Sequence, residues 1–262
     1  MLISHEVPKA LFNDSLEFND YDYALVHMFD KDPEYLQFYR DCVAKGRHVL
    51  LDNSIFELGE AYDNESFAKW VEDLRPTEYI VPDALEDMEK TISQMDAWNR
   101  TYRNLPGKKI GVVQGKTPEE IVHCYVYLDK DAECDKIAFS FDYSLYTELA
   151  PHKNKYFSWM VGRSSMLYNM LEAGIINTNK PHHLLGCGLP QEFALYKGMD
   201  WIESIDTSNP IVHGIKGIKY DHYGLSSKES IKLVDLMDTK LDKQQLYDIN
   251  HNISYFKNYA KS

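Results

Sequence analysis

This 262-residue chain is poor in cysteine, in positive charge and in long apolar runs. Its four cysteines, Cys42, Cys124, Cys134 and Cys187, are scattered and form no CxxC pair. That spacing excludes a disulfide scaffold, argues against a structural zinc site, and fits a reducing, cytoplasmic setting. No run approaches the roughly 18 apolar residues that a membrane span requires. The opening MLISHEVPKALF lacks the basic and long apolar regions of a signal peptide. No membrane partner is therefore expected. No Gly/Ser linker, low-complexity stretch or solenoid repeat interrupts the sequence. The expectation is a single domain over 1–262, close to the roughly 250 residues of one α/β barrel.

Cations are outnumbered, with 28 Lys and Arg against 41 Asp and Glu and a formal net charge of −13. This balance argues against a general nucleic-acid coat protein, because phosphate contacts need Lys and Arg. The deficit is uneven. Every arginine lies at or before Arg163, while the tail from Lys216 carries eight lysines against six acids. A local basic surface, with Lys216 and Lys219 near its start, is compatible with that distribution.

What the chain does have is a set of short apolar runs that end on polar residues or glycine. They are HVLLDNS (48–54), EYIVPD (78–83), KIGVVQG (109–115), KIAFS (136–140), HHLLGCG (182–188) and WIESIDTSNP (201–210). Runs apolar on both faces read as buried parallel strands. LISHEV (2–7) and YALVHMF (23–29) bring the strand candidates to eight. Helical stretches alternate with them at 33–46, 64–74, 85–103, 117–128, 155–174 (one long helix or two short ones) and 189–198, and C-terminal helices are expected over about 227–259. Pro33 near a start, Gly46 past an end, and Thr117 followed by Pro118 and Glu120 are the usual punctuation. The pattern predicts a (β/α)8 TIM-type barrel of the α/β class.

In such a barrel all strand C-termini open on one face, which carries the chemistry. Asp52, Asp83, Gln114, Ser140, Gly186 and Asp206 would then share one mouth. Blander readings exist for each. Asp52-Asn53-Ser54 also suits a turn, and Asp83 suits a helix N-cap. His182 and His183 read as strand-edge histidines, and Cys187 as a small apolar residue. Tyr143, Tyr146 and Tyr223, read as loop residues, are candidates for stacking on bases. Arg163-Ser164-Ser165 reads as a phosphate contact or as a solvated helix face.

These segments resemble the tRNA-guanine transglycosylases, the queuine and archaeosine tRNA-ribosyltransferases. LLDNSIFELG is similar to their DSGGFQ-type segment, with Asp52 at the aspartate and Phe56 at the aromatic position. IGVVQG resembles GIVQGG, HHLLGCGLPQEFALYKGMD resembles a stretch near LMGVGTPEDLVEAVALGVD, and IDTSNP resembles FDCVLP. The four blocks occur in order over residues 50–210. The family also holds DNA-guanine transglycosylases of bacterial genomic islands and phages, which insert 7-deazaguanines into DNA.

The resemblance implies base exchange at a glycosidic bond: a carboxylate attacks C1′, guanine leaves, and a free 7-deazaguanine takes its place. It implies Asp206 as the nucleophile and Asp52 as the acid/base. Asp83, Gln114, Gly115, Asn53 and the backbone at Leu185 and Gly186 would bind the base, with Phe56 stacking on it. Counting forward from GMD puts Glu203 in the nucleophile's place, and counting back from Pro210 gives Asp206. Strand alternation and the strand-end position favour Asp206. Lys216, Lys219 and Arg163 are the expected contacts to nucleic acid.

Two departures bear on the polymer. No cysteine follows Cys187, so the family's CxCxxC zinc module is missing, and the segment after the nucleophile, NPIVHGIKGIK, has no arginine. Both favour DNA over tRNA. No metal or other cofactor is implied. The alternatives are a non-catalytic, base-binding partner subunit of a transglycosylase complex, or an N-glycosidic hydrolase of free nucleosides or nucleotides. A homodimer or a partner subunit is compatible with either.

Overall fold

The computed structural model describes residues 1–221 and 232–261. Eight strands form one sheet: β1 (Leu2–Ser4), β2 (Asp22–Leu25), β3 (Val49–Asp52), β4 (Glu78–Ile80), β5 (Lys108–Val112), β6 (Lys136–Phe139), β7 (His182–Leu184) and β8 (Ile202–Asp206). Their order is β1-β8-β7-β6-β5-β4-β3-β2, and the strands are parallel. Parallel strands in sequential order with intervening helices make this a (β/α)8 TIM-type fold. Each strand is shorter than the apolar run that announced it, because the polar ends turn out of the ladder.

The helices follow local sequence. Pro33–Ala44 starts at Asp32, whose carboxylate accepts from the Glu34 and Tyr35 N–H groups at 3.0 and 3.1 Å. Asp63 caps Asn64–Leu74, Asp87 caps Met88–Thr101 and Thr117 caps Pro118–Lys130 in the same way. Each side chain satisfies an N–H that has no partner within its helix. Lys155–Glu172 is one continuous helix.

Some expectations are corrected. The predicted strand 23–29 stops at Leu25, and Val26–Phe29 is a helical turn. The Leu25 N–H donates to Tyr35 Oη at 2.9 Å and the His27 N–H to Ser54 Oγ at 3.3 Å, so side chains claim these amides. The 189–198 helix is a 3-10 helix over Pro190–Tyr196. Helices at Phe12–Phe18, Ser144–Leu149 and Asn209–Ile215 were not legible as such. Of the C-terminal helices expected over about 227–259, residues 227–231 lie outside the described residues, as does Tyr223; Leu233–Leu236 is a 3-10 turn rather than part of an α-helix, and Lys243–Lys261 is the terminal helix.

Two compact units make up the chain. One comprises 1–20, 141–169 and 184–262, and the other 21–140 and 170–183. In the first, β1 and β8 pair with Ser4 opposite Asp206, and the buried helix Asn209–Ile215 packs against Lys243–Lys261. Gly214 permits that approach: a Cβ there would lie 2.7 Å from the Ile249 backbone. In the second, β2 to β6 carry a core that includes Leu50, Leu51, Ile80, Ile110, Val112 and Ile137. Among the described residues no helix is long and apolar enough to cross a membrane.

Candidate active site

In the unit built on β2 to β6, three polar side chains at strand ends are joined by direct hydrogen bonds. Asp83 follows β4 and is only 3% exposed. Asn53 Nδ2 donates to Asp83 Oδ1 at 2.7 Å and to the Val81 carbonyl at 3.1 Å. Gln114 Nε2 donates to Asp83 Oδ2 at 2.6 Å, while Gln114 Oε1 accepts from the Glu86 N–H at 2.8 Å. Each carboxylate oxygen thus takes one amide and keeps further lone-pair capacity. Burial raises the Asp83 pKa to about 6, and the amides of Gln114 and Asn53 offset only part of that rise.

Asp52 ends β3 and is buried, with its Oδ2 accepting from the Ser54 N–H at 2.8 Å. Ser54 adopts a left-handed conformation, φ 61°, which is uncommon outside glycine. The turn expected at Asp52-Asn53-Ser54 is therefore present, and the same turn aims Asn53 at Asp83. A cleft of about 430 Å³ is lined by Asp83 together with Ile55, Tyr62, Ala84, Leu85 and Asp87. Phe56, in the short helix Ile55–Leu58, is 45% exposed. Gly115 has a packing role: a Cβ there would lie 2.8 Å from Glu120 Cβ and 3.0 Å from the Ile121 nitrogen.

In the other unit Asp206 is the last residue of β8 and is buried, whereas Glu203 lies mid-strand and half-buried. Asp206 Oδ1 accepts from the Gly186 N–H at 3.2 Å. Gly186 has φ 65°, and a Cβ on it would meet Phe141 Cδ1 at 2.4 Å, so both backbone and space demand glycine.

Arg163 corrects an expectation. It is fully buried rather than a surface contact for phosphate. Its Nε donates to Glu192 Oε1 at 2.5 Å, and its two terminal nitrogens donate to the Leu185 and Gly186 carbonyls at 2.9 and 3.0 Å. Tyr196 Oη adds a 2.5 Å bond to the same Glu192 oxygen. The guanidinium therefore braces the turn whose N–H meets Asp206. Arg-Ser-Ser inside a helix gives no local sign of this, because the partner carboxylate is 29 residues away.

Tyr143 and Tyr146 are also corrected: both are buried, Tyr146 within Ser144–Leu149, and their rings pack together at 5.1 Å. Neither is available to stack on a base. Lys216 and Lys219 are exposed, with Lys219 Nζ 4.9 Å from the Tyr247 ring centroid. His182 Nε2 bonds Tyr125 Oη at 3.0 Å, and His183 stacks on Tyr23. Among the described residues no cluster of three His, Cys, Asp or Glu side chains is gathered to hold a metal ion.

A second buried charge network lies at the opposite end of the strands. Lys136 Nζ and His48 Nε2 approach Glu78 Oε2 at 2.7 and 3.1 Å. Burial alone would raise the Glu78 pKa, but bonding to His48 and the charge of Lys136 hold it down to about 2. Glu78 and Lys136 open their strands, which is the stability end of this fold rather than its chemical end.

No protein-family model matches the sequence, and no curated protein matches it.

Proposed function

We propose that the chain is a base-exchange glycosyltransferase, similar to the guanine transglycosylases, that replaces guanine in nucleic acid with a 7-deazaguanine. DNA is the favoured polymer, with tRNA the other. The observation that carries this reading is the bracing of Asp83. Guanine presents an N1–H and an exocyclic amine side by side, two donors that a carboxylate accepts as a pair. Asp83 is buried and held from behind by two amides, and it borders a cleft with room for a purine. Gln114 keeps one amide hydrogen beyond its bond to Asp83, suited to the base's carbonyl.

The chemistry follows from the carboxylates. The Asp206 carboxylate attacks C1′, the bond from C1′ to guanine N9 breaks, and a glycosyl ester forms. Asp52 supplies the proton with which guanine leaves. It then takes the N9 proton of the incoming 7-deazaguanine, whose nitrogen displaces Asp206 and restores the free carboxylate. The Gly186 N–H holds the Asp206 carboxylate before it attacks and receives it again when the second displacement frees it. No disulfide joins the four cysteines, in keeping with a reducing, cytoplasmic setting.

The test is mass spectrometry of nucleosides from DNA and from tRNA after incubation with the purified protein and a 7-deazaguanine. Incorporation into DNA that Asp206→Asn abolishes supports the reading. Release of base from free nucleosides without incorporation would replace it with the hydrolase.

A further inference from the structure

Residues 149–171 contain no Asp or Glu, in a chain with 41 acids among 262 residues. The head of this stretch is a cluster of rings and cations. The His152 and Phe157 rings lie 4.6 Å apart. Lys155 Nζ sits 5.2 and 5.1 Å from the centroids of Tyr156 and Trp159, which cross edge-on at 5.3 Å. Asn154 Oδ1 accepts from the Tyr156 N–H at 3.0 Å and sets the helix start. His152, Lys153, Lys155 and Phe157 are exposed, Phe157 by 40%.

The cluster is continuous with the carboxylate of its own unit. Trp159 meets the Phe141 ring edge-on at 5.3 Å, and Phe141 closes over Gly186, whose N–H donates to Asp206. These contacts run without a break from the cluster to Asp206.

We propose that this surface is a platform for single-stranded DNA, holding the nucleotides beside the one being exchanged. It rests on the base-exchange reading for the role of Asp206. The occupant follows from charge and shape. Exposed cations in an acid-free stretch of an acidic protein suit a phosphate backbone, and the exposed rings of His152 and Phe157 suit unstacked bases. A target base must leave its stack to reach a pocket, which calls for an opened strand. The choice of DNA over RNA is that of the base-exchange reading, and RNA of the same sequence is the competing occupant in the test.

The test is equilibrium binding of a fluorescein-labelled single-stranded DNA oligonucleotide, followed by anisotropy over a range of salt concentrations. Lys153→Glu with Lys155→Glu should weaken binding about tenfold or more and flatten the logarithmic salt slope by about 1.4, the share of two phosphate contacts on a single strand. Phe157→Ala should weaken it about fivefold or more with the slope unchanged, as a lost stack does. All three residues are exposed, and circular dichroism melts should match wild type. Lys216→Glu with Lys219→Glu should cost less than the platform variants. Absence of DNA binding by the wild type, wild-type affinity in the platform variants, or equal affinity for RNA of the same sequence would overturn the proposal. Binding involves no turnover, so the two readings separate. DNA held by the platform without base exchange sinks only the chemistry, and base exchange unaffected by the platform variants sinks only the platform.

Discussion

Arg163 and Glu192 meet with 2.5 Å between Nε and Oε1, and neither side chain is exposed to solvent. Such a pair is costly to break from one side. Arg163→Met should destabilise the fold by about 3–5 kcal/mol, because Glu192 is left buried with an uncompensated charge. Adding Glu192→Gln removes that charge and should restore a large part of the loss in urea melts. The double variant should still exchange base poorly, since the Leu185 and Gly186 carbonyls lose their brace. Full activity in a folded double variant would show that the brace does not matter to the chemistry.

Asp206 and Glu203 offer a clean comparison. Asp206→Asn should abolish exchange and leave the melting temperature close to wild type, while Glu203→Gln should stay active. The reverse pattern in a nucleoside exchange assay would move the nucleophile three positions back along β8.

Asp83 predicts a pH dependence of definite sign. Its carboxyl has a folded pKa of about 6 against an ordinary 3.8. A raised folded pKa stabilises the fold fully below the ordinary value, and the contribution is lost as pH rises through the folded one. A difference of about two units corresponds to about 3 kcal/mol. Asp83→Asn does not titrate, so its stability relative to wild type should improve by that order between pH 4 and 7, whatever fixed offset its hydrogen bonds add. Base binding should run the other way. Guanine donors need the ionised carboxylate, so wild-type affinity for the free base should rise from pH 5 to 7. Asp83→Asn should weaken base binding by about 1–3 kcal/mol and flatten its pH profile. Flat binding in the wild type would remove Asp83 from base recognition.

Gly186→Ala tests the turn itself. A side chain at φ 65° and 2.4 Å from Phe141 should cost about 1–3 kcal/mol and draw the N–H away from Asp206. Phe141→Ala in the same chain should relieve the clash but not the backbone strain, giving partial recovery in melts and less in activity. Complete recovery would mean that the left-handed conformation is not required.

The elements that were legible share one property: their signals are local. Asp32, Asp63 and Thr117 each bond an N–H within three residues, and the helix starts expected at 33, 64 and 117 fall there, whereas the helix expected from 85 begins at Met88, after its cap Asp87. The eight strands were legible for a similar reason, since a buried strand is announced by its own apolar run, although each strand stops short of the end of that run. Errors arose where distant side chains intervene. Tyr35 takes the amide of Leu25, Glu192 internalises Arg163, and Tyr143 and Tyr146 turn inward, one just before and one within a helix that has no capping side-chain bond to announce it.

By itself, the amino-acid order determined a (β/α)8 chain, with carboxylates, an amide and a glycine just where its strands end, because periodicity and capping depend on near neighbours along the backbone. Only the tertiary structure decided which of those groups are paired. It joined Asn53 and Gln114 to Asp83 across 30 and 31 residues, Glu78 to Lys136 across 58, and Gly186 to Asp206 across 20. A buried polar atom must find a partner wherever the packed chain provides one, and no local pattern encodes where that will be.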